Sequence, residues 1–155
     1  MAGILVKESF RDAFTQADLI AGATLAVVAG AWSRLGAYVV PAGEVVSIGF
    51  GQHSGQEDAV GRLSVLLKNA TVEIMGKIRL SVYSPQDRPL QILGEYRTNV
   101  LSANATDRTK HMPFPEHRAW IQEDQKLILE FLPDTSETLT KAGCVILMDC
   151  TKGVV

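Results

Sequence analysis

The sequence predicts an all-β fold: an antiparallel jelly roll, β-sandwich or β-barrel of about eight or nine strands with an N-terminal arm. Two observations carry this. From Thr71 to Tyr83 the residues Val72, Ile74, Gly76, Ile78, Leu80 and Val82 alternate with Thr71, Glu73, Met75, Lys77, Arg79, Ser81 and Tyr83, the period-2 pattern of a strand with one face in a core. Turn-forming residues then recur about every ten positions, the spacing of short antiparallel strands. The chain has 155 residues, 46% apolar and 21% charged, which fits one folded domain and excludes disorder, collagen-like repetition and a coiled coil. Residues 1–20 are assigned to an arm and 21–155 to a single β-domain.

Taken in order, the arm mixes Ile4, Leu5, Phe10 and Phe14 with Lys7, Glu8, Arg11 and Asp12 at a spacing that permits a short amphipathic helix. Strands are expected at 23–29, 36–40, 44–50, 62–68, 71–83, 118–122, 125–132 and 143–151. Pro41-Ala-Gly43 turns the chain between the second and third of these, and Glu123-Asp124 makes a tight connection later. Gly76 marks a bulge or a bend in the longest strand. Ser84-Pro-Gln-Asp-Arg-Pro89 closes a hairpin whose second arm puts Leu90, Ile92 and Tyr96 on one face and Gln91, Glu95 and Arg97 largely on the other. Residues 132–138 read as a loop, as does 99–115, a length usually reserved for binding or intersubunit contact.

Charge and cysteine content narrow the function. Fifteen Lys and Arg against seventeen Asp and Glu give a net charge of −2, without the basic footprint of a dedicated nucleic-acid binder. Leu19 to Trp32 is the most lipid-like stretch, shorter than the roughly twenty residues a helix needs to cross a bilayer. The N-terminus lacks the pattern of a signal peptide. Cys144 and Cys150 share one apolar run; on a single strand they would stand roughly 20 Å apart, so they read as two buried thiols and a reducing cytoplasm as the place of synthesis. Asn69-Ala-Thr71 and Asn104-Ala-Thr106 match a glycosylation acceptor that matters only on secretion.

No residue pattern assembles a catalytic site. Gly49-Phe-Gly51-Gln-His-Ser-Gly55 lacks the Gly-Lys-Ser/Thr ending of a phosphate loop and reads as a turn. His53, His111 and His117 lie in or beside polar loops without the spacing that sets two metal ligands on one face, which weighs against a cupin-like metalloenzyme. No Ser occupies a nucleophile elbow. Trp32, Tyr38, Tyr83, Tyr96 and Trp120 suit core and interface packing better than a stacking platform. The chain therefore reads as a non-enzyme that needs no cofactor. Its apolar segments at 4–6, 23–31 and 153–155 exceed what one small sandwich covers, so assembly is the expected way to bury them.

Three segments, Ala37-Tyr-Val-Val-Pro-Ala-Gly-Glu-Val-Val-Ser-Ile48, Gly76-Lys-Ile-Arg-Leu-Ser-Val-Tyr83 and Thr138-Leu-Thr-Lys-Ala-Gly-Cys-Val-Ile-Leu-Met-Asp-Cys-Thr151, give residues 20–151 a rhythm. That rhythm resembles small jelly-roll or β-barrel capsid and capsid-decoration proteins of double-stranded DNA viruses of bacteria and archaea. The resemblance implies a virion structural protein made in the host cytoplasm. It would form a homo-oligomer, a trimer by preference, and contact a major capsid or neighbouring shell protein. Leu5, Phe10, Phe14, Trp32 and Phe114 are the expected interface residues. The alternative is a carbohydrate- or receptor-binding β-sandwich using Trp32, Trp120 or the 99–115 loop, and a third, less favoured reading is a cupin-like metalloenzyme binding metal through His53, His111 or His117.

Overall fold

A computed structural model describes residues 7–10, 13–14, 20, 22–48, 62–69, 71–102, 110–113, 119–148 and 150–154, with backbone alone at 7–9, 62–63, 110–113, 119 and 143. Among them the chain is all-β. The strands are β1 (Lys7–Phe10), β2 (Thr24–Val27), β3 (Ser33–Val39), β4 (Glu44–Ile48), β5 (Arg62–Asn69), β6 (Ile74–Tyr83) and β7 (Pro89–Ser102). They continue with β8 (Lys110–Pro113), β9 (Ala119–Ile121), β10 (Lys126–Pro133), β11 (Glu137–Thr140), β12 (Val145–Met148) and β13 (Cys150–Val154). A single 3-10 turn at Lys141–Gly143 is the one helical element described, and no described helix is long and apolar enough to cross a membrane.

The strands form two open sheets rather than a closed barrel. The smaller runs β1-β13-β4-β9, and the larger runs β2-β11-β5-β7-β6-β10-β3, with β8 and β12 also paired to β5. All pairings are antiparallel except β5 with β7, where Leu67, Lys68 and Asn69 face Val100, Leu101 and Ser102 in parallel. One core fills the space between the sheets. It takes Val46, Ile48, Ile121 and Cys150 from the smaller sheet and Ile78, Leu80, Val100, Leu127, Leu129 and Phe131 from the larger.

The alternation in 71–83 becomes β6, with Ile74, Gly76, Ile78, Leu80 and Val82 buried. Its hairpin closes as expected: the Asp87 N–H donates to the Ser84 carbonyl (2.9 Å) and the Ser84 N–H to the Arg88 carbonyl (2.8 Å). Asp87 takes the left-handed conformation at φ 66°, which a short polar side chain tolerates. Gly76 serves a different purpose from the one its sequence position implies. The register runs through it unbroken, pairing it with Thr98 and Pro133, and a Cβ there would lie 2.5 Å from Cζ of Phe131. The glycine makes room for an aromatic ring on the neighbouring strand.

The bulges lie elsewhere. The β6–β7 register shifts between Leu80 and Ser81, leaving Leu93 as the extra residue, and the β10–β3 register shifts between Leu129 and Glu130, leaving Leu35 extra. Both leucines are buried. The shift at Leu93 turns Ile92 out of phase with Tyr96, and a second shift, between Val82 and Tyr83, leaves Leu90 extra, so Leu90 and Ile92 are 54% and 55% exposed instead of following Tyr96 onto the core face.

Three further expectations give way. Residues 7–10, read as part of a short helix, pair as β1 with β13. Residues 132–138, read as a loop, contain the start of β11, whose Leu139 is fully buried opposite Asn69. The run 143–151 is two strands, β12 on β5 and β13 between β1 and β4. Asn69 is fully buried and its Oδ1 accepts the Thr71 N–H at 3.2 Å, so the first glycosylation pattern has no accessible acceptor; Asn104 lies outside the described residues.

Candidate functional site

The solvent face of the larger sheet carries a polar cluster that spans four strands. Residues paired directly across a sheet share a face, and the registers align Arg34 with Glu130, Glu130 with Arg79, and Arg79 with Glu95. A row of alternating charge therefore crosses β3, β10, β6 and β7. Arg79 Nη2 donates to Glu130 Oε1 at 3.1 Å and Arg79 Nη1 lies 3.9 Å from Glu95 Oε1. The Tyr83 hydroxyl donates to the same Glu130 oxygen at 3.3 Å. Because Tyr83 is paired with Lys126, four residues before Glu130, its ring must lie across Ile128, which is fully buried although it points away from the core.

Two aromatic rings complete the cluster. The Arg79 guanidinium sits 3.9 Å from the centroid of Trp32, and that of Arg34 sits 5.3 Å from the centroid of Tyr83. Both are cation–π contacts, and the first is well inside the distance at which such contacts matter. Glu130 is buried and Arg79 nearly so, with Arg79 Nε buried and unpartnered. At the hairpin turn Asp87 accepts from Lys126 Nζ at 3.2 Å and lies 3.5 Å from Arg34 Nη1. The hydrogen bond from Lys126, followed by the charge of Arg34, holds the Asp87 carboxyl below its ordinary range. Every charge in the row faces an opposite one, so the cluster ties four strands together on their wet side.

Of the expected interface residues, Trp32 is brought into this cluster. Phe10 is half-buried against the core, 5.9 Å from the ring of Tyr38, with Lys152 Nζ 5.8 Å from its own centroid. Phe14 is 3% exposed and belongs to this chain's own core. Leu5 and Phe114 lie outside the described residues. Trp120 is on β9 opposite Ser47 and remains partly exposed, while Ile121 beside it is buried in the core.

The two cysteines are buried thiols, not joined in a disulfide. Cys144 Sγ donates to the Thr140 carbonyl at 3.3 Å. Burial pushes its pKa up, against the opposing effect of a backbone hydrogen bond from Lys68, so it is a thiol and not a nucleophilic thiolate at neutral pH. Among the described residues no group of three or more His, Cys, Asp or Glu could hold a metal ion. His53, His117 and the glycine-rich loop 49–55 lie outside those residues, and His111 is placed on β8 by its backbone alone.

The row of charges was not foreseen. Arg79 and Glu130 are 51 residues apart, and only the register of β6 against β10 brings them together. The one sequence signal was a charged residue at a solvent-facing position of each strand, a pattern shared by ordinary wet faces.

No family model matches the chain, and no curated protein matches it. Among solved structures it is similar to a chain of the T13 IBDV viral particle, with a TM-score of 0.42 and 8% identity over 96% of this chain and 31% of that one. It is also similar to a chain of the infectious bursal disease virus Gx strain, with a TM-score of 0.41 and 11% identity over 99% of this chain and 33% of that one. A third is the family 11 carbohydrate-binding module from Clostridium thermocellum in complex with a β-1,3-1,4-mixed-linked tetrasaccharide, at TM-score 0.34 and 13% identity, covering 99% of this chain and 91% of that one. The chain spans about a third of the length of the viral chains it matches.

Proposed function

We propose that this chain is a non-catalytic structural subunit of a virion, forming or decorating an icosahedral shell through symmetric contacts between copies. The observation that carries the reading is the solvent face of β12. Ile146 and Met148 enter the core, whereas Val145 and Leu147 point outward at 43% and 42% exposure. Two large apolar side chains side by side on a sheet face favour burial against another surface. The rhythm of residues 20–151 that resembles small virion proteins supports the same reading, as does the open form of both sheets, whose edges invite pairing.

In this reading the chain is made in the host cytoplasm, is incorporated into the virion and forms a trimer. Replacing Val145 and Leu147 together by Glu leaves the monomer folded, because both side chains already face water, and abolishes the trimer in sedimentation and particles in electron microscopy. Unchanged oligomer mass and particle yield would overturn the reading. Truncation of residues 1–6, which spares β1, tests whether Leu5 docks on a neighbour: the fold is kept and particle association falls.

A carbohydrate-binding module is the second reading, favoured by the partly exposed indole of Trp120 on the outer side of the smaller sheet. Stacking on a sugar face would use that ring. Glycan-array binding that disappears in Trp120→Ala would favour it over shell assembly.

A further inference from the structure

We propose that two copies of this chain join edge to edge along β7, antiparallel about a two-fold axis beside Tyr96, with Glu95 of each copy opposite Arg97 of the other. The inference rests on the reading that the chain assembles with itself and names the surface it uses. β7 is hydrogen-bonded to β6 from Pro89 to Val100, but to β5 only at Val100–Ser102. Among the described residues its second edge is therefore unpaired from Pro89 to Asn99. An unpaired edge of that length presents a row of backbone donors and acceptors ready to accept another strand. Pro89, Leu90, Gln91, Ile92, Glu95 and Arg97 are all exposed along it.

Charge selects a second copy over any other strand. Glu95 ends the row Arg34, Glu130, Arg79, Glu95 at this edge, and its contact with Arg79 is loose at 3.9 Å. Arg97 lies two residues on, on the same solvent face, and is bonded to Asp134 at 2.8 Å. A two-fold axis normal to the sheet keeps each face on its own side, so an axis beside Tyr96 sets Glu95 against Arg97 of the second copy, twice. Arg97 of the second copy, which lies directly opposite its own Lys77 and is bonded to its Asp134, then gains a second carboxylate from Glu95. Moving the axis one residue either way places Glu95 against Glu95 or Arg97 against Arg97, and like charges directly opposite oppose pairing. The bulge at Leu93 ends the ladder on one side and the junction with β5 ends it on the other. The joint is thus short, about five residues from Gly94 to Thr98, and reversible.

The test uses the full chain in sedimentation equilibrium at low ionic strength, with circular dichroism to confirm folding. Wild type associates through this joint, two monomers or two trimers at a time, and Glu95→Arg weakens that association by about tenfold or more, since an unfavourable charge pair is made twice. The double variant Glu95→Cys/Arg97→Cys, at two exposed positions, gives a covalent dimer under mild oxidation, while the buried native thiols do not. Dimerisation unchanged in Glu95→Arg, or no covalent dimer from the cysteine pair, overturns the joint. Particle assembly separates this from the shell reading. Particles that form normally from Glu95→Arg leave the shell reading standing and remove the β7 joint; a wild-type chain that is monomeric and joins no particle removes both.

Discussion

The two faces of the β6–β10 pair are held by opposite kinds of contact although they share one backbone. On the inner face Ile78, Leu80, Leu127, Leu129 and Phe131 are almost fully buried, and the Phe131 ring occupies the space over Gly76. On the outer face Arg79, Glu130, Tyr83 and Trp32 form a compact set of hydrogen bonds and ring contacts that closes over Ile128. The inner face is cohesive through shape and apolar area. The outer face is cohesive only while each charge keeps its partner, since a partly buried charge left alone costs more than the pair gains.

The largest break comes from Gly76→Val. Its added carbons would meet Phe131 Cζ at 2.5 Å and the Leu132 carbonyl at 2.7 Å, and the second of these is backbone that cannot rotate away. A loss of about 3 kcal/mol or more is expected in urea unfolding; a midpoint matching wild type would show that the inner face is looser than its burial implies. Next comes Glu130→Ala, which strips Arg79 and Tyr83 of their shared acceptor and costs about 2 kcal/mol, held down because Glu95 and Trp32 remain beside Arg79. Glu130→Leu combined with Arg79→Met sharpens the contrast: it should cost less than Glu130→Ala alone, and a larger loss would make the ion pair itself the source of cohesion.

Smaller again is the coupling of Trp32 with Arg79. A double-mutant cycle using Trp32→Ala and Arg79→Met should give about 1 kcal/mol; no coupling would mean that the ring only rests on the guanidinium. The smallest effect is at Asp87, on the exposed rim. Its folded-state pKa is depressed by Lys126 and then Arg34, so its contribution is present above the unfolded-state pKa and is lost as pH falls through the folded one. Wild type and Asp87→Asn should converge in stability once pH falls below the folded-state pKa of Asp87 and differ slightly at neutral pH, with the difference removed by salt. A gap that persists in acid would place the effect of Asp87 in its left-handed backbone instead of its charge.

The inner face was readable in advance because burial on a strand leaves a period-2 trace: β6 and its hairpin turn are visible from Thr71 to Pro89 without any knowledge of neighbours. Phase was lost wherever a bulge intervened, which is why Leu90 and Ile92 appeared to share a face with Tyr96 and do not. β1 escaped because Lys7-Glu8-Ser9-Phe10 has one apolar residue in four, and its pairing with β13 is dictated by the other end of the chain. The split of 143–151 escaped because an apolar run carries no mark of which sheet each half will join. The outer cluster was the least legible part. Arg79, Glu130 and Trp32 are ordinary residues for a wet face until registers spanning half the chain bring them together.

β5 is hydrogen-bonded to β7, β8, β11 and β12, and all four follow it in the chain. During synthesis none of these four partners exists until the ribosome has moved dozens of residues beyond β5. Val65, Leu66 and Leu67, buried in the finished domain, stay exposed to water and to other nascent chains through that delay. With its cohesion resting on contacts so distant in sequence, the domain should close late and slowly.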